Sequence, residues 1–164
     1  MNGRLFGKDN EWLDLDFRED IKSIHGFSYK PDVIADASKI PVKDGEYSEL
    51  LVHSVLEHFS KWELKDYIKE WYRVLRKGGK IVISVPDILK ISKGIIMYSN
   101  ADNYKAVRSL INLLYGEQNY PGNLHKWGWV KETLKQDLEE IGFFRYTILK
   151  SERYTWELCI EAYK

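Results

Sequence analysis

Apolar residues along this chain recur at two periods, close to two and close to 3.6, and the switches between them predict strands alternating with helices. WLDLDF (12–17) reads as a short strand, PDVIAD (31–36) as a second opened by Pro31, and SELLVH (48–53) as a third, apolar enough to be buried on both faces. Ser60 and Glu63 form a capping-box pattern that predicts a helix from about Lys61, with Leu64, Ile68, Trp71 and Leu75 as its buried stripe. Gly78 and Gly79 end that helix, and KIVISVP (80–86) follows as a β-branched central strand. Residues 88–116 read as helical with a polar interruption near Ser99–Asn103, and Tyr104, Val107, Ile111 and Leu114 form the clearer apolar face. QNYPGN (118–123) is a loop by composition. A helix from about Val130 carries Leu134, Leu138 and Ile141 and stops at Gly142. FFRYTILK and TWELCIEAY then make two strands close enough to pair as an antiparallel hairpin. The expectation is an α/β fold: one domain over 1–164, a mostly parallel sheet, a C-terminal antiparallel hairpin, a shortened N-terminus and a lid-like helical and loop segment at 88–128.

The start of the chain is the irregular part. GRLFGKDNEW (3–12) holds Gly3 and Gly7, but nothing spells a glycine-rich phosphate or nucleotide turn. Only five residues separate Phe6 from Trp12, whereas a parallel crossover through a helix needs about ten or more. Residues 3–6 are either a stunted first strand with Gly7 as the remnant of the glycine turn, or the first arm of a hairpin turning at GKDN. The stunted strand is preferred, since some strand must fill the middle of the sheet to pair its backbone groups. A start codon assigned too far downstream would give the same short beginning, and translating the DNA upstream of Met1 tests this.

Composition narrows the class. With 164 residues, 44% apolar and 30% charged, the chain can bury a proper core and is not a disordered segment. Twenty-five basic residues balance twenty-five acidic ones, so a strongly basic face for nucleic acid is not expected, although 61–80 is locally lysine-rich. There is no apolar run of membrane-spanning length and no signal-peptide core, so no membrane partner is expected. Cys159 is the single cysteine and alternates with apolar strand residues, which makes it a structural thiol and points to a reduced, cytoplasmic setting.

Seven short motifs follow one another: WLDLD (12–16), ADASKIP (35–41), VLEHF (55–59), RVLRKGG (73–79), VPD (85–87), YGEQNYPGNLHKWG (115–128) and GF (142–143). In this order and spacing they resemble the class I, Rossmann-like S-adenosylmethionine (SAM)-dependent methyltransferases. The likeness is to a small subgroup of type 11-like predicted methyltransferases, often linked to surface polysaccharide pathways, and covers roughly residues 12 to 145. The resemblance implies SAM as cofactor and a small-molecule or sugar-derived methyl acceptor. The departure from it is the glycine turn.

Carried onto matching positions, the resemblance places Asp16 on the ribose hydroxyls, with Asp14 as its competitor two residues earlier. It places Asp36 and Ala37 at the adenine corner, where Asp36 accepts from the amino group and Ala37 leaves room for the ring; the structural alternative for Asp36 is an Asx turn. Gly7, His53 and Ser54 complete the expected cofactor side, although His53 also reads as a core histidine. His58, or alternatively His125, is expected to take a proton from the acceptor, with Glu57 orienting His58 or the Glu57–His58 pair holding a divalent metal, against the plainer reading of Glu57 and His58 as residues capping or solvating the helix start. Two potential ligands alone do not make a metal site, so none is expected. In the resembling family the stretch around His125 closes over the substrate, so His125 is expected to contact the acceptor, with Tyr120 and Asn123 as weaker candidates and Trp127 and Trp129 as packing residues.

The expected activity is therefore methyl transfer from SAM. The rival from another class is a degenerate methyltransferase fold kept as a binding or assembly module, supported by the thin glycine turn. A nicotinamide-dependent oxidoreductase ranks behind both, because the phosphate-cradling glycines are missing.

Overall fold

Ile81, Val82, Ile83 and Val85 are buried in an unbroken run, as expected of a strand covered on both faces. A computed structural model of the chain describes residues 2–6, 12–16, 21–22, 28–120, 122–151 and 155–164. In chain order the strands are β1 (Asn2–Phe6), β2 (Trp12–Asp16), β3 (Ile21–Lys22), β4 (Ser28–Tyr29), β5 (Val33–Ile34) and β6 (Tyr47–His53). A 3-10 turn (Leu56–His58) leads to helix α1 (Leu64–Val74) and strand β7 (Leu75–Pro86). Helices α2 (Ile88–Asn100), α3 (Tyr104–Tyr115) and α4 (Lys131–Glu139) precede β8 (Phe144–Leu149) and β9 (Glu157–Tyr163).

Seven strands make one sheet in the order β5-β2-β1-β6-β7-β9-β8, while β3 and β4 pair separately. β2 runs parallel to β5 and β6 parallel to β7, whereas β9 is antiparallel to both β7 and β8. Five strands therefore share a direction, and the α/β class, the parallel core and the antiparallel C-terminal pair match the expectation. β6 is the exception to double burial: Leu50 and Val52 are buried while Leu51 and His53 are half-buried.

The first strand corrects the preferred reading. β1 is antiparallel to both neighbours, with Leu5 opposite Leu13 and Leu50, so the hairpin alternative holds. A five-residue link is too short for a helical crossover, and pairing with both β2 and β6 reverses the strand. β1 thus begins, rather than ends, at the edge where β6 finishes, with Asn2 opposite His53.

Smaller shifts follow from local chemistry. The Glu63 carboxylate accepts from both the backbone N–H and the hydroxyl of Ser60, yet residues 61–63 form a turn and the helix proper starts at Leu64. Leu75, expected in the helical stripe, is instead the first residue of β7, and Gly78 and Gly79 fall inside that strand's span, where the register with β6 shifts. The helical interruption near Ser99–Asn103 is real: Asn103 caps α3 by accepting from the Ala106 N–H. Asp87 caps α2 in the same way, accepting from the Leu89 and Lys90 N–H groups. One apolar cluster joins the sheet to Leu64, Ile68 and Trp71 of α1 and to Leu134 and Leu138 of α4. Among the described residues no helix is long and apolar enough to cross a membrane.

Candidate functional site

The carboxyl ends of β2, β5, β6 and β7 lie along one edge of the sheet, where open α/β sheets take their ligands. β2 and β5 are adjacent, with Asp16 opposite Ile34. The Ala35 N–H donates to the Asp16 carbonyl at 3.0 Å, which brings the Asp36 corner beside Asp16. Both carboxylates line one cavity of about 270 Å³, close to the roughly 300 Å³ at which small-ligand pockets begin.

Asp16 is buried at the cavity wall, 2% exposed. Its competitor Asp14 faces Arg4 across β1, bonded at 2.8 Å, and is not among the lining residues. Asp36 is exposed, and one of its oxygens accepts from both the N–H and the hydroxyl of Ser38 at 2.8 Å. The Asx turn is therefore present, and Asp36 also lines the cavity. Ala37 lines the same corner. His53 and Ser54 do not line it: His53 is half-buried at the end of β6, and Ser54 is exposed. Ser54 instead turns the chain, with φ at 51° and its N–H donating to the Ser84 carbonyl, so that Val55 to His58 re-enter the core. Gly7 lies outside the described residues.

Three aromatic rings were missed as site residues. Phe59, Tyr67 and Trp71 form one wall of the cavity, with Phe59 and Tyr67 stacked at 3.5 Å between centroids. The sequence pattern marks Trp71 only as part of the helical stripe. Tyr67 and Trp71 are four apart on α1, a spacing that already placed them side by side on the helix. The Trp71 indole N–H donates to the Ala37 carbonyl at 3.0 Å and so fixes the Asp36–Ala37 corner to the helix.

At the far side of the cavity stands a second cluster. Glu57 is 1% exposed and His58 9%, which removes the reading of both as solvated helix-start residues. His125 reaches them from the loop after α3: one ligand atom from each of Glu57, His58 and His125 lies within 4.8 Å of the others. The two imidazoles meet edge to face at 4.9 Å between centroids. The His58 Nδ1 lies 3.2 Å from the Leu124 carbonyl and the His125 Nδ1 2.9 Å from the Leu113 carbonyl. A carbonyl can only accept, so Nδ1 carries the proton on both rings and Nε2 keeps a lone pair. The loop is tied down from below, because Lys126 and Trp127 donate their N–H groups to the Glu57 carbonyl. Burial pushes the Glu57 carboxyl up to about 8. Burial first, and the neighbouring His125 second, lower His58 to about 4; burial lowers His125 as well. The Glu57 Oε2 is buried without a hydrogen-bond partner.

Of the loop candidates, Tyr120 is exposed and Asn123 bonds Asn119 at 2.8 Å; neither lines the cavity, while Gly122, Leu124 and Lys126 do. Trp129 packs in the core with its indole N–H on Asp137 at 2.7 Å, and Trp127 is partly exposed under the Lys61 ammonium.

Residues 13–83 match the family described as methyltransferase domain. No curated protein matches the chain. Among solved structures, the chain is similar to a SAM-dependent methyltransferase from Archaeoglobus fulgidus at 18% identity and TM-score 0.54, covering 82% of this chain and 68% of that one. It is similar to human N-acetylserotonin methyltransferase in complex with SAM at 14% identity and TM-score 0.54, covering 86% and 36%. It is also similar to the Burkholderia thailandensis 1,6-didemethyltoxoflavin-N1-methyltransferase, solved with 1,6-didemethyltoxoflavin and S-adenosylhomocysteine, at 12% identity and TM-score 0.51, covering 81% and 51%. The chain thus spans between about a third and two thirds of the length of these structures.

Proposed function

Residues 13–83 are a methyltransferase domain set in a class I, Rossmann-like methyltransferase fold, and from that premise we propose that the chain methylates a small-molecule or sugar-derived acceptor with SAM. The observation that carries this reading is the pair of carboxylates, Asp16 and Asp36, on neighbouring parallel strand ends around one cavity with an aromatic wall. The lining fits a nucleoside: a buried carboxylate can accept from two vicinal hydroxyls, and Phe59, Tyr67 and Trp71 offer ring faces to a planar base. Asp36 retains one carboxyl oxygen beyond its Asx turn for an exocyclic amino group. Lys126 lines the same cavity and supplies a cation for an amino-acid carboxylate.

When bound, SAM would be held by Asp16, Asp36 and the aromatic wall and would supply a methyl group activated on a sulfonium. The protein's part in an in-line displacement is to hold acceptor, carbon and sulfur in line. His58 lies on the wall shared by the cavity and the Glu57–His125 cluster. Its position makes it, with His125, the group that orients a polar acceptor at the inner end. Leu50, Val52 and Val55 keep that end apolar, and a dry surround favours loss of the sulfonium charge.

Isothermal titration with S-adenosylhomocysteine tests the reading. The wild type should bind it, and Asp16→Ala should weaken binding about 10- to 100-fold, the loss of one charge-assisted pair of bonds. Absence of any heat at millimolar ligand would refute it. A second reading, a fold kept as an assembly module, draws support from β1, whose reversed direction carries its carboxyl end away from the ligand edge. That reading expects Asp16→Ala to leave partner binding intact and S-adenosylhomocysteine to bind neither protein.

A further inference from the structure

Three groups able to donate electron pairs converge within 4.8 Å of one another. The Glu57 carboxyl group is fully buried with Oε2 lacking a hydrogen-bond partner, a position that a native protein rarely leaves unexplained. Each histidine already spends its Nδ1–H on a backbone carbonyl, that of Leu124 or of Leu113. A carbonyl holding Nδ1–H fixes the tautomer and presents Nε2 as a ligand, which is the outer-shell arrangement of metal-binding histidines. Both carbonyls belong to elements that are themselves anchored. Leu113 lies in the last turn of α3, and the following Tyr115 carbonyl accepts the His125 N–H at 3.1 Å. Leu124 lies in the loop bonded to the Glu57 carbonyl through Lys126.

We propose that Glu57, His58 and His125 form a binding site for a divalent cation of the zinc class, with its open position toward the cavity. Two imidazoles and one carboxylate are a borderline nitrogen and oxygen set, which suits first-row transition ions and zinc better than magnesium or calcium. Three protein ligands with a fourth position left open is the arrangement of catalytic rather than structural sites. His58 is the ligand that also lines the cavity, so the open position faces the proposed acceptor. Bonds of about 2.1 Å in a tetrahedral shell need ligand atoms about 3.4 Å apart. From 4.8 Å, closure takes side-chain shifts on the order of an ångström. The acceptor-binding role of the cation rests on the methyl-transfer reading; the site itself does not.

The test uses the full chain stripped with a chelator and dialysed, then titrated with zinc(II), with bound metal measured by elemental analysis. One zinc per chain is expected. Glu57→Gln and His125→Asn should each weaken uptake by more than about tenfold, the lower range seen for loss of mere outer-shell partners. Cys159→Ser should change nothing, because the thiol is a buried strand residue apart from the cluster. Cobalt(II) absorption on the wild type covers the case in which the variants fail to fold: nitrogen and oxygen ligation without a thiolate charge-transfer band is expected. No stoichiometric uptake, uptake unchanged in both variants, or a thiolate band would overturn the proposal. S-adenosylhomocysteine titration on the same samples separates the two readings. Its binding without zinc uptake removes the cation and leaves methyl transfer, whereas zinc uptake without it supports the cation and removes methyl transfer.

Discussion

Asp36 serves two demands with one side chain. One oxygen closes the turn to Ser38, and the residue also lines the cavity. The local and the ligand-facing readings were posed as rivals from sequence, but an Asx turn needs only one lone-pair site and a carboxylate has several. Glu57 and His58 went the other way. Next to a helix start their polarity suggested solvated caps, and only the turn at Ser54 and the covering loop bury them. Tyr67 and Phe59 were legible merely as aromatic residues, since periodicity assigned the helix face to Leu64, Ile68 and Trp71. Tyr67→Leu should leave the fold intact by circular dichroism. It should weaken S-adenosylhomocysteine binding about 3- to 10-fold in calorimetry, because the Phe59–Tyr67 stack holds the ring wall with about 0.5–1.5 kcal/mol beyond area burial.

At the scale of elements, α1 clamps the segment that runs from Ala37 to Asp44. Its Arg73 donates to the carbonyls of Val42 at 2.8 Å and Ile40 at 2.9 Å and pairs with Glu70 and Asp44. The Glu70 carboxylate in turn accepts the Ile40 N–H. The hydrogen bonds from Arg73 hold the Glu70 carboxyl below its usual range. A depressed carboxyl contributes stability above its unfolded pKa, near 4.5, and loses it as pH falls through the folded value. Urea midpoints of wild type and Glu70→Gln should therefore differ most near pH 7 and converge as the pH falls through the lowered folded value. A second joint is Gly116, which ends α3 with φ at 77°. An added Cβ there would strike the Asn123 carbonyl and crowd the His125 N–H. Gly116→Ala should cost about 1–3 kcal/mol and change the His125 imidazole tautomer signal in nitrogen NMR, because the bond to Leu113 depends on that turn.

For the whole molecule, the sheet's central layer sets stability. Ile83 sits on β7 between β6 and β9 with no exposed surface. Ile83→Ala should lower unfolding free energy by about 2–5 kcal/mol in urea titration, with Asp16→Ala far milder by the same measure. Most elements were readable before any coordinates. The Ser60–Glu63 signal, the Asn103 break and the β9 alternation are local patterns, and local patterns reflect backbone chemistry that acts within a few residues. What sequence by itself determined was therefore the order and type of the elements, and the motif string that tied them to a methyltransferase fold. Tertiary structure alone decided the direction of β1, because a five-residue link permits a hairpin or a broken strand and only pairing with both β2 and β6 chooses. It alone also brought His125 to Glu57 and His58 across 67 residues of chain, since that contact is made by the packing of a loop against a turn. No periodicity records which surfaces will meet, and burial, which turned ordinary polar residues into a cluster, exists only once they have met.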